Sequence, residues 1–240
     1  MIAHRGASGH VRENTVEAFE LAVELGADGI EFDVRRTADH HLVVHHDPGI
    51  DGYGLICDLR LEQLPDHVPT LAVALVACRG AWVNVEIKNM AIEPGHDPSD
   101  AMARSVLEVL DQVALELPPR PVLGGEAIVI SSFDRLTLRQ IRELAPAMTT
   151  ALLVAEVDDD VIASCHRNGH RFVHPWLDVL DRAGVAAVAE AGLGCNVWTC
   201  NDVESMTQLI GWGVDGIITD YPDLARSVLD GASPDDSSDP

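Results

Sequence analysis

The sequence is poor in aromatic residues: four Trp, four Phe and two Tyr amount to 4% of its 240 residues. Its core must therefore be built from Val, Leu, Ala and Ile, which the 47% hydrophobic content supplies. Basic residues are scarce as well. Sixteen Lys and Arg stand against 39 Asp and Glu, a formal charge of −23, which argues against nucleic acid and anionic membrane surfaces as main partners. No apolar run is long enough to span a bilayer, so no stable membrane association is expected. The cysteines, Cys57, Cys78, Cys165, Cys195 and Cys200, are odd in number and lack CxxC spacing. That is the pattern of free thiols in a reducing compartment, not of a disulfide framework. Met1-Ile2-Ala3-His4 runs straight into a motif without the apolar stretch of a signal peptide, so a cytoplasmic location is expected. A glycine-rich phosphate loop is missing too, which disfavours an open doubly wound sheet.

What is present is a regular alternation. Short apolar segments begin at Ile2–Ala3 and recur near residues 29–34, 42–45, 82–87, 127–131, 149–153, 171–173, 195–199 and 215–219. Amphipathic segments fall between most of them, near 15–25, 69–78, 99–117, 134–144, 158–167, 178–191, 202–211 and 222–230. Asn14 with Glu17 three residues on reads as a capping box opening the first helix. Counting 42–45 as an extension of the second strand gives eight β units, which predicts an α/β chain of the TIM (β/α)8 barrel type. It is expected to be a single domain over residues 1–230, with Asp47–Pro69 as a short insertion after the second strand. The Asp-, Ser- and Pro-rich Gly231–Pro240 reads as a disordered acidic tail.

Active-site chemistry in such a barrel lies at the C-terminal ends of the strands. His4 and Arg5 end the first strand, Glu31 and Asp33 lie late in the second, His46 ends its extension, and Glu86 and Lys88 end the third. Alternation puts Glu31 and Asp33 on one face, and Asn84, Glu86 and Lys88 on one face of their strand. Parallel strands covered by helices are buried on both sides, so carboxylates there need a cation or a basic partner. Glu31, Asp33 and Glu86 together suit a hard divalent ion, Mg²⁺ or Ca²⁺; zinc is disfavoured because no His or Cys shares those strand faces. The alternative is an internal salt-bridge network with Arg5, Arg35 and Lys88. His4 and His46 suit proton transfer near neutral pH. His45 has the opposite alternation to His46, so only one of the pair is expected to face the site. Arg5 and Lys88 beside a metal suit phosphate binding. Trp198 is placed either to pack against substrate or to fill the core, and Asp220 either to serve the site or to cap the last helix. Phe133 and the ring in His174-Pro175-Trp176 are placed to border the opening. His10, His40, His67, His96, His166 and His170 belong to no constellation and are expected at the surface.

His4-Arg5-Gly6, Glu13-Asn14-Thr15, the run from Gly26 to Val34, His46-Asp47-Pro48, Val85-Glu86-Ile87-Lys88, Val197-Trp198-Thr199-x-Asn201 and the run from Gly213 to Pro222 closely resemble the glycerophosphodiester phosphodiesterase family. The resemblance covers residues 2 to about 228. It implies a TIM barrel that hydrolyses glycerophosphodiesters to glycerol 3-phosphate and an alcohol. Position by position, His4 and His46 match the catalytic pair, Glu31, Asp33 and Glu86 the metal ligands, and Arg5 and Lys88 the phosphate contacts. The family resembles phosphatidylinositol-specific phospholipases C in mechanism, which implies attack by the glycerol 2-hydroxyl and a cyclic phosphate. Two departures stand out: Arg12 where the family has Pro, and Gly49-Ile50-Asp51-Gly52-Tyr53-Gly54 where it has a Leu-Asp-Arg-Thr-Thr run. The second borders the substrate entrance. The partner expected is a small glycerophosphodiester, acted on by a monomer or small homo-oligomer. The alternatives are a lysophospholipase D-like activity, which needs an apolar groove, and a catalytically silent barrel that binds phosphodiester or metal.

Overall fold

The computed structural model describes residues 1–114 and 127–231. Residues 232–240 of the expected acidic tail and the last turn expected of the helix near 99–117 lie outside the described residues. Strands and helices follow in the order β1 (Ile2–His4), α1 (Val16–Glu24), β2 (Gly29–Arg36), β3 (Leu42–Val44), β4 (Gly49–Ile50), β5 (Gly54–Leu55), α2 (Leu71–Ala77), β6 (Trp82–Ile87), α3 (Ala101–Ala114), β7 (Ile128–Ser132), α4 (Arg135–Leu144), β8 (Thr149–Val154), α5 (Asp159–Asn168), β9 (Phe172–Pro175), α6 (Arg182–Glu190), β10 (Gly194–Val197), α7 (Val203–Trp212), β11 (Gly216–Thr219) and α8 (Pro222–Gly231).

Eight of the strands, β1, β2 and β6–β11, run parallel, and β1 pairs with both β2 and β11, so the sheet closes into a (β/α)8 barrel. Closure leaves no parallel edge strand unpaired. Ile30, Phe32, Val34, Val83, Val85 and Ile87 point outward into the layer beneath the helices, where Phe32 meets Phe19 of α1 at 5.5 Å between ring centres. The inner face is apolar at its base, with Ile2, Trp82, Val129, Ala151, Phe172 and Ile218 packed together. It becomes polar toward the C-terminal ends, at Glu31, Asp33, Asn84 and Glu86, all buried. That change of character along one face places the site.

Three expectations need correction. Residues 42–44 do not extend the second strand: β3 folds back antiparallel on it, Val34 opposite Val44, because His40 with φ +67° turns the chain. Asn14 does not cap α1. Thr15 does, its side chain accepting from the Ala18 N–H, while Asn14 adopts φ +56° and turns inward. Of the histidines expected at the surface, His170 is buried, bonded to Thr150 Oγ1 at 2.9 Å in the strand–helix layer. The insertion Asp47–Pro69 contains the β4–β5 hairpin and two short 3₁₀ turns, and its Ile50 and Ile56 pack with Val43 and Val68. No described helix is long and apolar enough to cross a membrane.

Two buried histidines make the fold sensitive to acid. Burial pushes the His174 ring down to about 3, and burial together with Arg142 and Arg135 pushes His170 to about 4. Both folded values lie below the ordinary histidine value, so the stability tied to the neutral rings is complete above about pH 6.5 and is lost as pH falls through the folded values. The shifts correspond to about 3 kcal/mol for His170 and about 5 kcal/mol for His174. The urea midpoint is expected to fall between pH 6.5 and 4, and to fall less in the His170→Gln/His174→Gln double variant. An unchanged pH slope in that variant would remove these rings from the acid response.

Candidate active site

The site is assembled from short-range turns at the ends of β1, β2 and β6. After His4 the chain turns through Arg5 at φ +56° and Gly6 at φ +83°. A side chain on Gly6 would lie 2.6 Å from the Ala18 backbone, so only glycine lets α1 come this close. The turn aims the Arg5 backbone N–H at Glu31 Oε2, 3.0 Å away. Asn14 serves Asp33 in a similar way: its side-chain amide donates to Asp33 Oδ2 at 2.8 Å. The motifs His4-Arg5-Gly6 and Glu13-Asn14-Thr15 are thus loops whose backbone shape holds carboxylates of the neighbouring strand.

Oxygen atoms of Glu31, Asp33 and Glu86 lie within 4.8 Å of one another, all three residues buried. Lys88 Nζ contacts Asp33 Oδ1 at 3.0 Å and Glu86 Oε1 at 2.5 Å, and Arg5 Nε lies 3.4 Å from Asp33 Oδ2. Burial drives Glu31 well above the ordinary carboxyl range, and Asp33 and Glu86 push it further. Burial also raises Glu86, with Lys88 opposing. For Asp33 burial is outweighed by Lys88 and Arg5, which hold it far below that range. Conversely, the carboxylates overcome burial and raise Lys88 and Arg5.

Cationic compensation is therefore concentrated on Asp33 and Glu86 and does not satisfy Glu31, whose Oε1 is buried with no hydrogen-bond partner. An all-oxygen set in which one carboxylate oxygen meets neither a hydrogen bond nor an ion pair fits a hard divalent cation. The salt-bridge alternative is realised only in part, because Arg35 turns away and pairs with Glu93 at 3.0 Å.

The two histidines flank this cluster. His4 Nδ1 lies 2.6 Å from Asp220 Oδ1, which leaves Nε2 facing Glu31 at 4.0 Å. Asp220 is itself fixed by Ser8 Oγ at 2.9 Å and Asn201 Nδ2 at 2.6 Å. It therefore orients His4, a role the sequence signals only through its place at the end of the last strand. His46 Nδ1 lies 2.8 Å from Asp47 Oδ1, and Arg35 Nε donates to the His46 carbonyl at 2.7 Å. Burial lowers the His46 pKa, assisted by Lys88 and Arg5 and opposed by Asp33 and Asp47.

His4, Arg5, Glu31, His46, Glu86, Lys88 and Trp198 all line one cavity of about 270 Å³, and Asp33 stands behind Lys88 and Arg5. Apolar side chains, Met90, Phe133, Leu153 and Ile218, complete its lining together with Asn84 and Glu93. Trp198 both borders the cavity and packs: its Nε1 donates to the His174 carbonyl at 2.8 Å, and its ring stacks on Trp176 at 6.4 Å. His45 lines a separate cavity with Gly49, Ile50 and Tyr53 of the divergent loop, so only His46 of the pair faces the site.

A closed (β/α)8 barrel with carboxylates, two histidines and two cations converging at one end of its strands defines the class as a barrel built to handle an anionic ester. The chain belongs to the glycerophosphoryl diester phosphodiesterase family, whose profile matches residues 4–224. It is 32% identical over 253 residues to a glycerophosphodiester phosphodiesterase of Caldanaerobacter subterraneus subsp. tengcongensis, covering 95% of this chain and 97% of that one. It is 48% identical over 259 residues to the Mycobacterium tuberculosis protein named "Probable glycerophosphodiester phosphodiesterase 1", covering 96% and 92%. Among solved structures, an Oleispira antarctica phosphodiesterase in complex with its product sn-glycerol-3-phosphate shares the fold, with a TM-score of 0.85, 24% identity and coverage of 95% and 96%.

If Glu31 is the unmet charge, removing it relieves the metal-free protein. Glu31→Gln is expected to raise the melting temperature in chelator by roughly 2–4 °C, the shift that about 1 kcal/mol produces in a domain of this size. It should also shrink the stabilisation that added Mg²⁺ or Ca²⁺ gives the wild type. Differential scanning calorimetry checks both, and a lower melting temperature in chelator would contradict the account.

Proposed function

We propose that the protein hydrolyses glycerophosphodiesters to glycerol 3-phosphate and an alcohol, with a divalent cation held by Glu31, Asp33 and Glu86. The observation that carries this reading is the convergence of His4 and His46 on one cavity with those carboxylates, Arg5 and Lys88, in a chain of this family. A bound Mg²⁺ or Ca²⁺ supplies Lewis-acid stabilisation of charge on the phosphoryl oxygens. Arg5 and Lys88 bind the same oxygens, and Trp198 supports the apolar side of the substrate.

Burial favours the neutral His46 ring, which suits it to act as base. His46 takes the proton of the glycerol 2-hydroxyl as its oxygen bonds to phosphorus. His4, its ring held at Nδ1 by Asp220, gives a proton to the departing alkoxide. Asp220 offsets the charge that His4 carries as an imidazolium. The resulting cyclic phosphate is opened by water, with His4 now accepting a proton and His46 returning one to the glycerol oxygen. Each ring thus ends as it began, and no side-chain nucleophile is needed.

The cavity, about 270 Å³, has room for a glycerol phosphate. All seven positions proposed for the metal, the phosphate and proton transfer carry the residue the chemistry needs, which argues against a silent binding barrel. The five free thiols support a cytoplasmic location. A monomer or small homo-oligomer is consistent with the high net charge.

Release of glycerol 3-phosphate from glycerophosphocholine and glycerophosphoethanolamine is expected with Mg²⁺ or Ca²⁺ and is expected to vanish with chelator. His46→Ala should lower kcat by about 10²–10⁴-fold, the usual worth of an acid–base group, while the metal-induced rise in melting temperature persists. Turnover in chelator would overturn the metal role, and near-wild-type kcat in His46→Ala would remove His46 from proton transfer.

A further inference from the structure

Asn84 stands among the site carboxylates but has no part in the chemistry above. It lies in β6 two residues before Glu86 and is the register partner of Glu31 across the β2–β6 pair. It is 1% exposed and contributes to the wall of the same cavity. Trp82, two residues earlier, and Val129, its register partner in β7, belong to the apolar plug at the base of the barrel. Asn84 is therefore the floor of the site, where the inner face turns polar. Its amide nitrogen donates to Ser131 Oγ at 3.0 Å, whereas Oδ1 is buried and has no hydrogen-bond partner. An unmet buried acceptor costs stability, and an apolar side chain of similar volume would fill the position without that cost. The free oxygen is the one acceptor of the Asn84 amide still open to a bound group.

Chemistry selects the partner. Phosphate oxygens are acceptors and cannot donate to Oδ1. The donors that the glycerol phosphate half of the substrate brings into the cavity are its hydroxyl groups. We propose that Asn84 is a specificity-determining residue whose Oδ1 accepts a hydrogen bond from a glycerol hydroxyl at the cavity floor, so that the site reads glycerol and not phosphate alone. The inference rests on the phosphodiester reading of the cavity. Ser131 is a positioning residue: its hydroxyl holds the amide nitrogen and so fixes which way the amide is turned. A site built to bond a hydroxyl rejects an analogue that lacks it, because its own polar group is then left unpaired.

The test is calorimetric titration of the protein, at fixed Mg²⁺, with glycerol 3-phosphate and with propyl phosphate, which carries the same phosphate but no hydroxyl. The wild type is expected to prefer glycerol 3-phosphate. Asn84→Leu should cut that preference about tenfold, the worth of one hydrogen bond to a buried group, leave the affinity for propyl phosphate unchanged, and melt at or above the wild-type temperature. Ser131→Ala keeps the amide but frees it, and should lose part of the preference; it carries the test alone if Asn84→Leu does not fold. An unchanged preference in both variants overturns the proposal. So does an equal loss for both ligands together with weaker Mg²⁺ binding, which would assign the amide to the cation cluster. A wild type that binds neither phosphate overturns the phosphodiester reading itself, and the inference falls with it.

Discussion

The structure depends on the repulsion among three buried carboxylates and on the way it is met. Charges this close interact strongly once water is excluded, and removing a carboxylate from water is costly in itself. Lys88, Arg5 and Asn14 meet this for Asp33, and Lys88 meets it partly for Glu86. Glu31 receives one backbone N–H and nothing at its other oxygen. The imbalance suits the site to a further cation. It also explains the left-handed turns at Arg5 and Asn14, which are needed to bring backbone and amide donors to carboxylates on the neighbouring strand.

The barrel makes this arrangement affordable by separating its layers. Outward residues of β2 and β6 pack beneath the helices, the base of the interior is an apolar plug, and only the upper inner face carries charge. Rigid strands hold the carboxylates and Asn84, while Arg5, His46 and Lys88, the groups proposed to meet the ligand, follow strand ends. The histidines differ accordingly. His4 is locked by Asp220, Ser8 and Asn201, whereas His46 leans on an exposed Asp47 and a backbone tie from Arg35.

Much of this was legible in the sequence, because both signals involved are local. Alternation within 29–34 and 82–88 puts the charged residues on one face, and the spacing of β and α segments gives the barrel. Distances in sequence hid the rest. Asp220 meets His4 only because β11 closes against β1, a pairing of chain ends that no local pattern reveals. Asn14 looked like a helix cap because Asn is a good one. Its displacement to Thr15 follows from the stronger demand of buried Asp33 for a donor. The burial of His170 followed from the packing of its strand-leading turn against the strand–helix layer, where Thr150 supplies a partner. The return of β3 depended on a single left-handed residue, His40.

The central claim is that Glu31, Asp33 and Glu86 form one cation site that acts together with the cavity on a glycerol phosphate. Calorimetric titration of chelator-treated protein with Mg²⁺ or Ca²⁺, alone and with saturating glycerol 3-phosphate, tests it directly. The account predicts one ion per chain, bound more tightly when glycerol 3-phosphate is present. Absence of cation binding, or a cation affinity that glycerol 3-phosphate leaves unchanged, would contradict it.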